Sequence, residues 1–218
     1  DMPSEQFKKY MQENPGGMPT PEMFSADGEL KLPVMPEEFK MTVPEVPAGY
    51  SCEEVNINGI KGLRISSSDV KSGQAYFHIH PGGFTMGTAA ATVPLMVHIV
   101  KTLQIDCYSI EYSLAPKHKF PVQVNECLAF YRGLLDKGYK KIIISGESAG
   151  GNLSIAVTHY IKDEKLPLPA AVVALSPIGD LSYYKREVYK PDFFIEIGPL
   201  IKEAYAPDAD AELSLIHI

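Results

Sequence analysis

The chain has 218 residues, 45% of them apolar and 22% charged, the proportions of an ordinary globular protein with enough apolar material for one sizeable core. Lys and Arg number 20 against 27 Asp and Glu, a net charge of −7 with no long basic or acidic block, so nucleic-acid binding is not expected. No apolar run reaches the ~18 residues of a membrane span, and Cys52, Cys107 and Cys127 are an odd number at unrelated spacings, which fits free thiols in a reducing compartment and a cytoplasmic location.

Residues 1–48 are rich in Pro, Met, Glu and Lys, with a short helical pattern at Ser4 to Gln12 followed by repeated proline breakers, and they read as a loosely structured arm. Glu53 to Asn58 and Ile60 to Ser66 flank Asn58-Gly59 as a hairpin. From residue 74 onward strand and helix patterns alternate, which predicts βαβ units and a parallel sheet. The strands are Gln74 to Ile79, Ile105 to Ile110, Lys141 to Ser145 and Ala170 to Ser176. Val93, Met96, Val97, Val100 and Leu103 mark one amphipathic helix; Val124, Leu128, Tyr131 and Leu135 mark a second; Leu153, Ala156, Val157 and Tyr160 mark a third. Residues 181–206 carry an aromatic cluster, Tyr183, Tyr184, Tyr189, Phe193, Phe194 and Tyr205, a composition that serves core packing more often than binding.

Two motifs sit at strand ends, where open parallel sheets place their sites. The first is His80-Pro81-Gly82-Gly83-Phe84, after the strand ending at Ile79. Pro-Gly is an ordinary turn signal, but a glycine loop also offers N–H groups already aimed at a developing oxyanion, and Gly82 and Gly83 would supply two. The second is Gly146-Glu147-Ser148-Ala149-Gly150-Gly151, in which an apolar strand runs into G-x-S-x-G and a helix follows at once. That order is a nucleophile elbow: Ser148 on a sharp turn, glycines two residues either side for close packing, and the Ala149 N–H as a third oxyanion donor. A bare G-x-S-x-G arises by accident in roughly one chain in ten to twenty of this length, so the strand before it and the helix after it carry the argument. His78 and His80 form an H-x-H pair without a neighbouring carboxylate or cysteine, so no metal is expected. His98, His118 and His159 show no partner pattern.

With Glu111-Tyr112-Ser113-Leu114-Ala115-Pro116-Lys117-His118-Lys119-Phe120-Pro121 lying between those motifs, the chain resembles the hormone-sensitive-lipase-like esterases of the α/β-hydrolase fold, or α/β-hydrolase fold-3. That family carries H-G-G-G-[FW], D-Y-R-L-A-P-E-x-x-F-P and G-[DE]-S-A-G-G in this order, and the similarity runs from about residue 50 to about 210. Three residues depart: Pro81 stands for the first loop glycine, Ser113 for the arginine and Lys117 for the glutamate. Pro81 has no N–H, but the usual oxyanion donors map onto Gly82 and Gly83; the other two changes bear on local salt bridges.

The resemblance implies an α/β fold with a mostly parallel sheet flanked by helices. It also implies an N-terminal cap over residues 1–48 and a core over 49–212 with a cap insertion at about 181–206. It implies hydrolysis of short- to medium-chain carboxylic esters by Ser148 through an acyl-enzyme, with Gly82, Gly83 and Ala149 as the oxyanion hole and His80 supporting the loop. No cofactor is expected, and the partner is a small-molecule ester. The triad acid and histidine are expected past residue 218; Asp180, at the S-P-x-x-D position, and His217 are not assigned to the triad. A non-catalytic small-molecule receptor, or an amidase or deacetylase on the same scaffold, stays open.

The last six residues, Leu213 to Ile218, can be encoded by CTGTCTCTTATACACATC, the transposase mosaic-end adapter of shotgun libraries. At average usage that hexapeptide matches less than about once in ten million positions, so residues 213–218 are expected to be an adapter artefact.

Overall fold

In β1 (Tyr50–Ile57) and β2 (Ile60–Ser67) the apolar residues alternate with polar ones, and the two pair antiparallel from Tyr50 opposite Ser67 to Ile57 opposite Ile60. Asn58 and Gly59 both take positive φ, 51° and 86°, as a two-residue turn of this hand requires. The Gly59 N–H closes the turn on Asn56 Oδ1 at 2.9 Å. The computed structural model that shows this describes residues 42–181 and 193–208. The segment 42–48 of the arm has no helix or strand; the expected helix at Ser4 to Gln12, Tyr183, Tyr184, Tyr189 and residues 213–218 lie outside the described residues.

Four further strands follow, β3 (Gln74–Ile79), β4 (Asp106–Ile110), β5 (Lys141–Glu147) and β6 (Ala171–Leu175), with helices α1 (Val93–Leu103), α2 (Val122–Asp136), α3 (Ala149–Asp163) and α4 (Phe193–Tyr205). The sheet order is β1-β2-β4-β3-β5-β6. β2 meets β4 antiparallel; β4, β3, β5 and β6 are mutually parallel, so each step between them needs a crossover, supplied by α1, α2 and α3. Because β4 lies on one side of β3 and β5 on the other, the direction of travel reverses at β3. The loops after β3 and β5 are thereby brought side by side beyond the carboxyl ends of the strands.

The residues of β3 alternate between two cores. Tyr76 packs with Leu63, Ile65, Val93, Met96, Val100 and Cys107 under α1, whereas Phe77 and Ile79 pack with Phe130, Ile144, Leu153 and Val157 under α2 and α3. On the second face the Phe77 and Phe130 rings stack with centroids 5.1 Å apart. Away from the motif loops, Arg64 bridges the hairpin to β4, with Glu53 at 2.7 Å and Asp106 at 2.9 Å. Asp106 is completed by the Tyr139 hydroxyl at 2.6 Å. The ends of the observed strands differ from expectation at β5, which continues through Gly146 and Glu147 because they pair with Ala174 and Leu175 of β6. All three cysteines are free thiols.

Phe130 has no exposed surface and fills the space between β3, β4 and α2. Phe130→Ala is expected to lower the unfolding free energy by about 3–5 kcal/mol, read as a shift of the urea midpoint with an unchanged slope. A loss below about 1 kcal/mol would show that this face collapses around the cavity.

Candidate active site

Ser148 stands between β5 and α3 at φ 52° and ψ −115°, a conformation a side chain rarely adopts. Such a backbone costs about 1–3 kcal/mol and persists only where its surroundings fix it. Here the Ser148 N–H donates to Leu175 O at 2.9 Å, and the Ser148 carbonyl accepts from the Asn152 N–H at 3.0 Å and the Ile178 N–H at 3.2 Å. Asn152 Nδ2 donates in turn to Ile178 O at 2.6 Å, so one side chain on the first turn of α3 ties down the segment that braces the elbow. The glycines answer a packing need. A Cβ on Gly146 would overlap the Gly150 carbonyl, and one on Gly150 would overlap the Ile79 carbonyl. The start of α3 therefore lies directly against the end of β3.

The loop after β3 is turned by a run of positive φ at Gly82 (127°), Gly83 (59°) and Phe84 (65°), with the Thr85 and Met86 N–H groups donating back to Gly82 O at 3.1 and 3.0 Å. A Cβ on Gly82 would overlap the Met86 carbonyl, so only glycine fits. The N–H groups of Gly82, Gly83 and Ala149 meet no protein acceptor among the described residues. These are the three donors singled out in the sequence, and the Ala149 N–H also carries the positive end of the α3 dipole.

His80 is fully buried with Nδ1 2.8 Å from Pro81 O, which requires the proton on Nδ1 and leaves Nε2 without a partner among the described residues. Its ring stacks on Tyr112 at 4.1 Å and 11°, and the Tyr112 hydroxyl donates to His80 O at 3.1 Å. Further along, the Ala115 N–H donates to Phe84 O at 2.8 Å, and the Glu111 carboxylate accepts the Ala89 N–H at 2.7 Å. Burial raises the Glu111 carboxyl above its ordinary value, and that hydrogen bond partly offsets the shift. Residues 111–118 thus hold the glycine loop from behind.

That supporting segment is itself held by α2. The Ser113 N–H and hydroxyl both donate to Glu126, at 2.7 Å each, and Gln123 Nε2 donates to Ser113 O at 2.9 Å and His118 O at 2.6 Å. The serine that departs from the family pattern therefore gains two hydrogen bonds to a carboxylate in place of an arginine ion pair. Glu126, Gln123 and Asn152 were not singled out in the sequence. The available signal was weak: Gln123 and Glu126 are polar residues one turn apart on a helix with an apolar stripe.

His78 and His80 do not converge. His78 Nδ1 lies 3.3 Å from Ser145 Oγ within the sheet, and His80 is spent on the loop. His159 Nδ1 lies on Ile155 O at 3.0 Å. Among the described residues no histidine or carboxylate is hydrogen-bonded to the Ser148 hydroxyl. Beside it opens a cavity of about 470 Å³ walled by Glu147, Ser148 and the run Ser176 to Asp180.

Comparison with known proteins follows the same residues. A family profile described as alpha/beta hydrolase fold matches residues 76–216. An esterase of Acinetobacter venetianus is 28% identical over 165 residues, covering 75% of this chain and 54% of that protein. The hormone-sensitive lipase of Mus musculus is 34% identical over 110 residues, 48% of this chain and 14% of that protein. Among solved structures, an esterase from the bacterial hormone-sensitive lipase family superposes with a TM-score of 0.71 at 27% identity, covering 80% of this chain and 61% of that one. The chain spans about half the length of the first curated relatives it matches.

Burial holds His78 and His80 near pKa 4, against an ordinary 6.5. As pH falls the unfolded chain takes up these protons first, so the stability present above pH 6.5 is lost on the way down to about 4. The expected loss is roughly 3 kcal/mol per histidine at most. Urea unfolding at stepped pH reads it, with His78→Gln flattening part of the dependence. A stability unchanged between neutral pH and pH 4.5 would contradict the neutral, buried assignment.

Proposed function

Because the chain belongs to the α/β-hydrolase fold family, with hormone-sensitive-lipase-like esterases among its relatives, we propose that the protein containing it is a serine carboxylic-ester hydrolase. The observation that carries this reading is the serine held at an unfavourable φ at the start of a helix, together with the Gly82, Gly83 and Ala149 N–H groups that have no protein acceptor among the described residues. Ser148 Oγ attacks the acyl carbon, and the carbonyl oxygen becomes an oxyanion that accepts from Gly82, Gly83 and Ala149. The tetrahedral species collapses by expelling the alcohol, which takes the proton given up by Ser148, and water attacks the acyl-enzyme by the same route, its proton returning to Ser148 as the acid leaves. Donors already in place cost no reorganisation at the moment charge develops.

The proton of Ser148 needs a base. His78, His80 and His159 are engaged elsewhere, and the base we propose is a histidine outside the described residues, oriented by a carboxylate. His80 stays neutral at working pH and acts on the reaction only by fixing the Pro81 carbonyl. No step requires a metal or cofactor. We propose short- to medium-chain acyl esters as substrates, because the cap segments 1–48 and 181–206 that the family resemblance implies would bound the space around Ser148.

In the whole protein, Ser148→Ala is expected to abolish labelling by a fluorophosphonate and to lower kcat/KM for p-nitrophenyl butyrate by at least about a thousandfold. Labelling that survives the substitution would place the nucleophile elsewhere. Butyrate esters are expected to turn over faster than emulsified long-chain glycerides; the reverse order would remove the bounded-pocket argument.

A further inference from the structure

The glycine loop is covered from above by α4, and the contact is specific. Ile201 and Tyr205 lie four residues apart on one helix face. The Ile201 Cδ1 is 3.6 Å from the point where a Gly83 Cβ would stand. The Tyr205 ring lies face to face on Phe84, centroids 3.7 Å apart and planes 3° from parallel. Phe84 and Tyr205 have no exposed surface, and Ile201 almost none. The helix end is fastened in turn, since the Phe120 N–H donates to Tyr205 O at 2.8 Å and the Phe120 ring meets Tyr205 edge-on. Phe120 belongs to the same segment whose Ala115 N–H holds the Phe84 carbonyl, so Phe84, Tyr205, Phe120 and Ala115 form a closed circuit around the loop.

We propose that Tyr205 is a positioning residue for the Gly82–Phe84 N–H groups, so that α4 and the oxyanion site move as one unit. Phe84 is a non-glycine residue at φ 65°, a conformation that only its fixed surroundings maintain. Its carbonyl is tied by Ala115 and its ring by Tyr205; with the ring released, rotation about φ swings the preceding peptide and with it Gly83. The part of Tyr205 that does this is the ring. Its hydroxyl is buried without a partner among the described residues, which costs stability and adds nothing to the clamp.

The kinetic consequence rests on the esterase reading above; the structural one does not. The test compares the whole protein with Tyr205→Phe and Tyr205→Leu by amide hydrogen exchange of residues 82–86 and by kcat and KM for p-nitrophenyl butyrate. Tyr205→Phe is expected to keep loop protection and kcat and to melt at the same temperature or higher. Tyr205→Leu is expected to speed loop exchange about tenfold or more and to lower kcat by about tenfold with KM changed less than about threefold. Should Tyr205→Leu not fold, Ile201→Ala, which uncovers Gly83 while leaving the Phe84–Tyr205 ring contact, is read the same two ways and in the same direction. Unchanged loop exchange in the folded variant, or a rise in KM alone, overturns the proposal. A wild-type protein that hydrolyses no ester while Tyr205→Leu still loosens the loop would end the esterase reading and leave the clamp standing.

Discussion

The organisation at the carboxyl end of this sheet depends on how closely the start of α3 approaches the end of β3. Gly150 sits against the Ile79 carbonyl with no room for a methyl group, and Gly146 against Gly150 in the same way. That contact forces the turn at Ser148 to be sharp, and the sharp turn forces φ to be positive. The strain of about 1–3 kcal/mol is offset by three backbone hydrogen bonds to Ser148, two from the Leu175–Ile178 segment and one from the first turn of α3, each contributing about 1 kcal/mol. The end of β6 and the segment after it are therefore part of the candidate site although they bear none of the groups assigned to the chemistry: Leu175 and Ile178 hold the two ends of the Ser148 peptide. The same approach sets the first residues of α3 beside the loop that begins at His80.

That loop is rigid for a different reason. Its outward face carries N–H groups without protein acceptors among the described residues, which a loop relying on its own turn would satisfy by folding back on itself. It is held open from behind by Tyr112, Ala115 and Glu111, and their segment is held at Ser113 and His118 by Glu126 and Gln123 of α2. The order of support runs from helix to connecting segment to loop. Burial of His80 belongs to this arrangement, because an imidazole kept neutral and protonated at Nδ1 can only donate to Pro81 O.

Much of this was legible in the sequence because the relevant signals are local. The strands from Gln74 to Leu175 are short apolar runs between breakers, and α1 to α3 follow the 3.6-residue period, so their placement needed no knowledge of packing. The elbow and glycine loop were legible because both chemistries demand glycine at fixed offsets. What escaped is what depends on pairing at a distance. Ser113 read as the loss of an arginine salt bridge, and nothing in sequence pairs it with Glu126, 13 residues on in the next helix. α4 was hidden by Pro199, a breaker in isolation that this helix accommodates. Tyr205 was one of six aromatic residues in a cluster whose composition favoured core; it is core, and what it packs against is the loop.

The departure at Pro81 fits this scheme. Proline removes an N–H and fixes φ near −65°, and both changes cost a loop only where the donor was in use or the angle was wrong. At this position the only main-chain group engaged is the carbonyl, which accepts from His80, while the outward donors begin one residue later at Gly82. The substitution therefore leaves the donor set intact and restricts the residue that joins β3 to the turn. Restricting the unfolded chain at a position whose native geometry is compatible stabilises by about 0.4–1 kcal/mol. Glycine freedom is needed only where the chain turns left-handed, and that begins at Gly82.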